Sequence, residues 1–146
     1  MNIVQNKSFH GTGLVITEPT SIINCSFEQI GPGDAIQCIG PEARNITIRD
    51  CTFDNQGLRP DQQDECISVV RGASGVAIHG CHFRYAEKAI LVGTGDPEWR
   101  EAEEGAEVNI ADCSFFRCAR RHPYVRNGGS AWMIRCDILE WQPGYK

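Results

Sequence analysis

One short phrase of alternating apolar and polar positions recurs along the chain. It reads Ile22-Ile23-Asn24-Cys25-Ser26-Phe27, then Ile46-Thr47-Ile48-Arg49-Asp50-Cys51-Thr52-Phe53. It returns as Val76-Ala77-Ile78-His79-Gly80-Cys81-His82-Phe83 and as Val108-Asn109-Ile110-Ala111-Asp112-Cys113-Ser114-Phe115, with a degenerate last copy over Ala131-Trp132-Met133-Ile134-Arg135-Cys136-Asp137-Ile138. The β-branched, period-two start of each copy predicts a strand. Gly, Asn, Pro and Asp gather between copies, as turns require, and no segment sustains a 3.6-residue period. Strands that recur every 23 to 32 residues without crossover helices predict an all-β chain, a right-handed parallel β-helix of five to six rungs spanning residues 1–146 as one domain. Stacked rungs place Cys25, Cys51, Cys81, Cys113 and Cys136 in one inward ladder, and Phe27, Phe53, Phe83 and Phe115 in another. Residues 1–20 are expected to supply a first rung or cap, and Trp141 to Lys146 to cover the other end.

That ladder changes how the eight cysteines are read. There is no Cys-x-x-Cys pair and no Cys/His spacing suited to zinc. A ladder of small buried thiols is the favoured reading; rung spacing also lies within the reach of a disulfide, so spacing alone leaves both open. The net charge of −5 and the lack of a basic run give nucleic acid little support as a partner. No apolar run approaches a membrane span. Nothing at Met1-Asn2-Ile3-Val4 reads as a signal peptide, which decides little, and a secreted location is expected. The exposed strands at the ends of a short coil make self-association of copies through the coil ends a further expectation.

A second phrase, of a charged, a small and an isoleucine residue, follows the first around the coil: Asp34-Ala35-Ile36, Glu65-Cys66-Ile67 and Lys88-Ala89-Ile90. Arg121 follows the next Cys-x-Phe copy, so Asp34, Glu65, Lys88 and Arg121 are expected in one row on successive rungs. Two carboxylates one rung apart, with Asp64 as a third, form an oxygen-rich set suited to calcium. The stretch Arg121-His122-Pro123-Tyr124-Val125-Arg126 adds two guanidinium forks on a backbone stiffened by proline, a geometry that grips carboxylates. Acids for a cation, then an ammonium, then guanidinium groups make a track for an acidic polysaccharide.

These residues resemble the pectate lyase family, polysaccharide lyase family one. Gly33-Asp34-Ala35-Ile36 is similar to the family's calcium-aspartate strand, Tyr85-Ala86-Glu87-Lys88-Ala89-Ile90-Leu91-Val92-Gly93 to its lysine strand, and Arg121-His122-Pro123-Tyr124-Val125-Arg126 to its Arg-x-Pro-x-x-Arg signature. The likeness covers about residues 31 to 140, and the chain looks like the catalytic rungs with little else. It implies cleavage of α-1,4-linked polygalacturonate by calcium-assisted β-elimination. Asp34 and Glu65 would hold Ca2+, with Asp64 beside them. Lys88 would take the substrate carboxylate, Arg121 would stand as the base, and Arg126 and Tyr124 would contact substrate. The reference pKa of arginine exceeds about 12, and neighbouring cations disfavour its charged form, so an alkaline optimum is expected. Three places depart from the family: Pro32 and Val69 stand where it often has further aspartates, and Ala77-Ile78-His79-Gly80 stands where it usually has Trp-Ile-Asp-His, a largely structural phrase. Weak calcium binding that depends on substrate is the expected consequence. A non-catalytic β-helix module that binds acidic polysaccharide is the alternative. A pectin lyase is disfavoured because Asp34 and Glu65 remain, and a hydrolase because no carboxylate pair of the needed spacing is seen.

Two loops complete the reading. The segment from Leu58 to Gln63 leads into Asp64 and is placed to close over the metal. The insertion from Gly95 to Gly105 is expected as a mobile acidic surface loop, with Trp99 as a candidate sugar-stacking ring.

Overall fold

The computed structural model describes residues 2–140. The period-two phrase is the first strand of each turn of a coil. Six first strands, β1 (Asn2–Gln5), β4 (Thr20–Ile23), β7 (Ile46–Arg49), β10 (Val76–His79), β13 (Glu107–Ala111) and β16 (Ser130–Ile134), stack in that order as one parallel sheet. A second parallel sheet stacks β2 (Ser8–His10), β5 (Ser26–Glu28), β8 (Thr52–Asp54), β11 (His82–Arg84), β14 (Ser114–Phe116) and β17 (Asp137–Leu139). A third stacks β3 (Leu14–Ile16), β6 (Ile36–Ile39), β9 (Glu65–Val70), β12 (Lys88–Val92) and β15 (Tyr124–Val125). The architecture is the expected parallel β-helix, and residues 2–16 form its first rung. The cap assigned to Trp141–Lys146 lies outside the described residues.

The two-residue corner between the first and second sheets explains the repeating phrase. Its first residue takes a left-handed conformation in every rung: Asn6, Asn24, Asp50, Gly80, Asp112 and Arg135 have φ between 51° and 66°. Asn, Asp and Gly are the residues that enter this region at least cost. From Asn24 on, the second corner residue is the ladder cysteine. Its thiol faces two corner carbonyls, as Cys81 Sγ does at 3.5 Å from both His79 O and Ile48 O of the previous rung. Cys113 repeats this with Ala111 O at 3.3 Å and Ile78 O at 3.5 Å. A small apolar side chain with a weak S–H donor therefore fits the corner on both counts. All eight cysteines are free.

Two residues further on, phenylalanine fills the core. The rings of Phe9, Phe27, Phe53, Phe83 and Phe115 stack at 4.8 to 5.0 Å with interplanar angles of 5° to 7°. The last four are fully buried. Isoleucine columns line the other two inner faces: Ile22, Ile48, Ile78 and Ile110 in one sheet, Ile36, Ile67 and Ile90 in the third. The coil ends in an exposed apolar rung among the described residues, with Trp132, Ile134 and Ile138 at 50% exposure or more.

Because the first corner is so short, the longer connections all flank the third sheet. Residues 55–64 and 117–123 enter it, and residues 93–106 leave it through a turn at Pro97–Trp99 and the short helix α1 (Arg100–Glu103). They make the walls of a groove whose floor is the outward row Val15, Gln37, Ser68, Leu91 and Tyr124. No helix among the described residues is long and apolar enough to cross a membrane.

Truncating Phe83 to alanine removes a ring with neighbours on both sides and is expected to cost about 3–5 kcal/mol; Phe9→Ala, at the half-buried end, is expected to cost visibly less in the same guanidinium titration. Equal costs would contradict the stacked ladder. Thiol titration of freshly unfolded protein without reductant is expected to find eight groups, and of native protein almost none; a count below eight after unfolding would mean bridged cysteines.

Candidate active site and cation centre

The charged row sits where the chain turns into the third sheet. Glu65 pairs in register with Lys88. Asp34 lies beside Glu65, its Oδ1 accepting the Glu65 N–H at 3.0 Å. Asp34, Glu65 and Lys88 each stand two residues before a core isoleucine, Ile36, Ile67 and Ile90. They therefore continue an inward-facing column out over the corner of the coil, which explains why the Glu65 carboxylate is buried and that of Asp34 half-buried. Glu65 is 6% exposed.

The three acids converge. Carboxylate oxygens of Asp34, Asp64 and Glu65 all lie within 4.8 Å of one another. Ser68 Oγ donates to Asp34 Oδ2 at 2.6 Å, and Asp64 Oδ1 accepts the Glu65 N–H at 3.1 Å. Lys88 Nζ stands 3.9 Å from Asp64 Oδ1. Arg121 Nη1 donates to Glu65 Oε1 at 2.6 Å, while Glu65 Oε2 is buried with no hydrogen-bond partner. Burial drives the Glu65 carboxyl up to about 8, with Asp64 and Asp34 adding to the rise and Arg121 opposing it. Burial also raises Asp34, against the hydrogen bond from Ser68. Crowded, desolvated carboxylates with one orphaned oxygen are a donor set that a hard cation would relieve. The residues present thus fit calcium.

The arginine stretch differs from the expected row in one respect. Lys88 bridges to Arg120, not to Arg121. Further along, Leu91 pairs with Tyr124, so one extra residue is accommodated between the two pairings. Arg121 falls at that slip, with φ of 64°, and its guanidinium reaches back two rungs to Glu65. Arg120 turns instead to the buried Glu87, Nε to Oε1 at 3.1 Å. Tyr124, 44% exposed, joins the two arginines of the signature: the guanidinium carbons of Arg121 and Arg126 lie 5.4 Å and 5.5 Å from its ring centre, within cation–π range. Arg126 Nη1 also donates to Thr94 O at 3.1 Å. The cluster of acids with Lys88 and the Arg121–Tyr124–Arg126 group therefore meet at Arg121.

Both flanking loops are held in place by buried polar side chains. Gln63 is buried, its Oε1 accepting from Asn55 Nδ2 at 3.2 Å and from the Glu87 N–H at 2.8 Å, and its Nε2 donating to Leu58 O at 3.1 Å. These bonds tie the segment into Asp64 to the coil. The insertion is an anchored wall, not a loose acidic loop, because the Glu103 carboxylate is buried among backbone donors. Trp99 is covered by the Arg71 guanidinium, 4.9 Å from its ring centre. Along the groove two cavities adjoin, of about 400 and about 310 Å3, and Asp34, Gln37 and Asp64 line both. Ser68, Arg71 and Thr94 line the second. Sequence reasoning passed over Ser68 and Glu103. The alternation within β9 was a signal for Ser68, since it alternates with the buried Ile67 and Val69.

No family model matches the chain, and no curated protein matches it. What the geometry defines is a class: a parallel β-helix with a groove that carries an acidic cluster joined to paired arginines.

Because Glu65 and Asp34 hold protons more tightly when folded, the native state binds more protons than the unfolded chain between the ordinary carboxylate range and about pH 8. Stability is therefore fully present at low pH within that window and is lost as pH rises through it. In chelator, unfolding free energy is expected to fall by on the order of 2 kcal/mol from pH 5 to pH 9, and Glu65→Gln to flatten that slope. A profile that rises over the same range would contradict the account of the cluster.

Proposed function

We propose that the protein is a pectate lyase, cleaving α-1,4-linked polygalacturonate by calcium-assisted β-elimination. The observation that carries this reading is the meeting of the acid trio, Lys88 and Arg121 at one point of a groove. Bound at Asp34, Asp64 and Glu65, calcium would neutralise a galacturonate carboxylate and stabilise the negative charge that develops when the proton on the neighbouring carbon is lost. The chain's own residues do the rest. Lys88 and Arg126 hold uronate carboxylates, and the exposed Tyr124 ring supports the sugar. Arg121 acts as the base and takes the proton from C5. The electron pair forms the C4–C5 double bond, the C4–oxygen bond breaks, and the leaving oxygen takes up a proton from solvent water. The two demands on Glu65 fall on different atoms: Oε1 holds Arg121, and Oε2 is the oxygen left without a partner.

One observation favours a second reading. The Arg121 guanidinium is engaged by a buried carboxylate at 2.6 Å, an arrangement that suits a fixed positive charge for binding. The alternative is a non-catalytic module that grips acidic polysaccharide with the same residues. Either reading carries a secreted location among plant-derived polysaccharide and no nucleic-acid partner. Copies would associate through the apolar last rung.

Incubation with polygalacturonate at alkaline pH, followed by ultraviolet absorbance, separates the two. The lyase reading expects absorbance from the unsaturated product, lost in chelator and reduced at least ~10²-fold in folded Arg121→Ala, the scale of a general base. Polymer binding with no absorbance at any pH would move the binding module to first place.

A further inference from the structure

Glu103 is the least exposed carboxylate among the described residues, at 1%. It lies in the acidic run Glu101-Ala102-Glu103-Glu104, yet it alone of these turns inward. Its Oε2 accepts the backbone N–H of Arg71 at 2.9 Å and of Thr94 at 2.8 Å. Its Oε1 accepts Thr94 Oγ1 at 3.0 Å and Asn127 Nδ2 at 2.7 Å. Arg71, Thr94 and Asn127 come just after β9, β12 and β15, so one carboxylate gathers the ends of three successive rungs. Burial alone would raise this carboxyl; the hydrogen bonds outweigh it and hold the group below its ordinary range.

What those rung ends carry is a rim of the groove. Arg126 donates to Thr94 O and lies against Gly95, where any side chain would run into the guanidinium. Arg71 lies over Trp99, whose turn leads directly into α1. The N–H groups that Glu103 holds belong to Arg71 itself and to Thr94, the residue that anchors Arg126.

We propose that Glu103 is a positioning residue, fixing Arg126 and the Arg71–Trp99 pair as a cationic rim beside the cavity that Arg71 and Thr94 share with the acid trio, where they would bind carboxylates of an acidic sugar chain. The substrate half of this statement rests on the reading above; the positioning half does not. A carboxylate is needed because its two oxygens take up four donors, whereas an amide offers one oxygen and turns its NH2 toward donors.

The test measures the arginine side-chain Nε–H signals of wild type, Glu103→Gln and Glu103→Ala by nitrogen-edited NMR. In wild type the Arg71 and Arg126 signals are expected to stand apart from the position of a solvated arginine in the unfolded chain. In Glu103→Ala they are expected to collapse toward that position, with Glu103→Gln in between, while the backbone signals of the coil stay in place. Unmoved Arg71 and Arg126 signals in either folded variant would overturn the proposal. Should Glu103→Ala fail to fold, the Gln variant alone decides. With trigalacturonate, positioning further predicts a KM raised about tenfold at near-constant kcat, and little added effect in an Arg126→Ala background. A merely structural role would instead lower the active fraction at unchanged KM, and that result would also overturn it. If wild type neither binds nor cleaves the saccharide, the lyase and binding readings fall, and the NMR result still decides the positioning role.

Discussion

Parallel strands hydrogen-bonded in register are the constraint on which everything else rests. Each rung sits about 4.8 Å above the last, and the register puts equivalent residues on top of one another. Whatever a position holds, it meets its own kind. For phenylalanine and isoleucine this is favourable: five rings stack nearly parallel and columns of isoleucine close the core. For the left-handed corner it selects Asn, Asp and Gly again and again, and for the corner thiol it offers the same two carbonyls in each rung.

The same constraint makes charge expensive and therefore informative. A carboxylate in the row meets a carboxylate one rung away, as Asp34 meets Glu65, and burial strengthens the repulsion. The row answers by changing sign once, from Glu65 to Lys88, and by drawing Arg121 back onto Glu65. Repulsion is only partly answered, since Glu65 Oε2 has no partner. A cation centre is the chemical use to which such an arrangement lends itself. Glu103 solves the opposite problem: three rung ends present donors, and one carboxylate accepts from all of them.

The architecture was legible because its signal repeats. Cys-x-Phe, seen four times with intact spacing, sets both the corner and the core column, so the coil and its two ladders follow from the sequence. Asp34 and Glu65 were legible for the same reason, being in phase with a core isoleucine, and Asp64 through its place beside Glu65. Three features were hidden because nothing repeats them. The one-residue slip between the Lys88–Arg120 and Leu91–Tyr124 pairings exchanges the places of two adjacent arginines, which no spacing reveals. Glu103 is one of several glutamates in a stretch without period, and only the fold of the insertion decides which one turns inward. Gln63, polar and loop-borne, read as part of a flap, and its buried bonds to Asn55 and Glu87 depend on rungs distant in sequence.

The account turns on whether the acid trio takes up calcium as part of a groove for uronate. Calcium titration by calorimetry, with and without trigalacturonate, is the direct measurement. With Pro32 and Val69 in place of further ligands, weak binding is predicted for the free protein, about millimolar. It should tighten clearly when the saccharide is present and disappear in Asp34→Asn. Tight binding to the free protein, or no binding even with the saccharide, would contradict it.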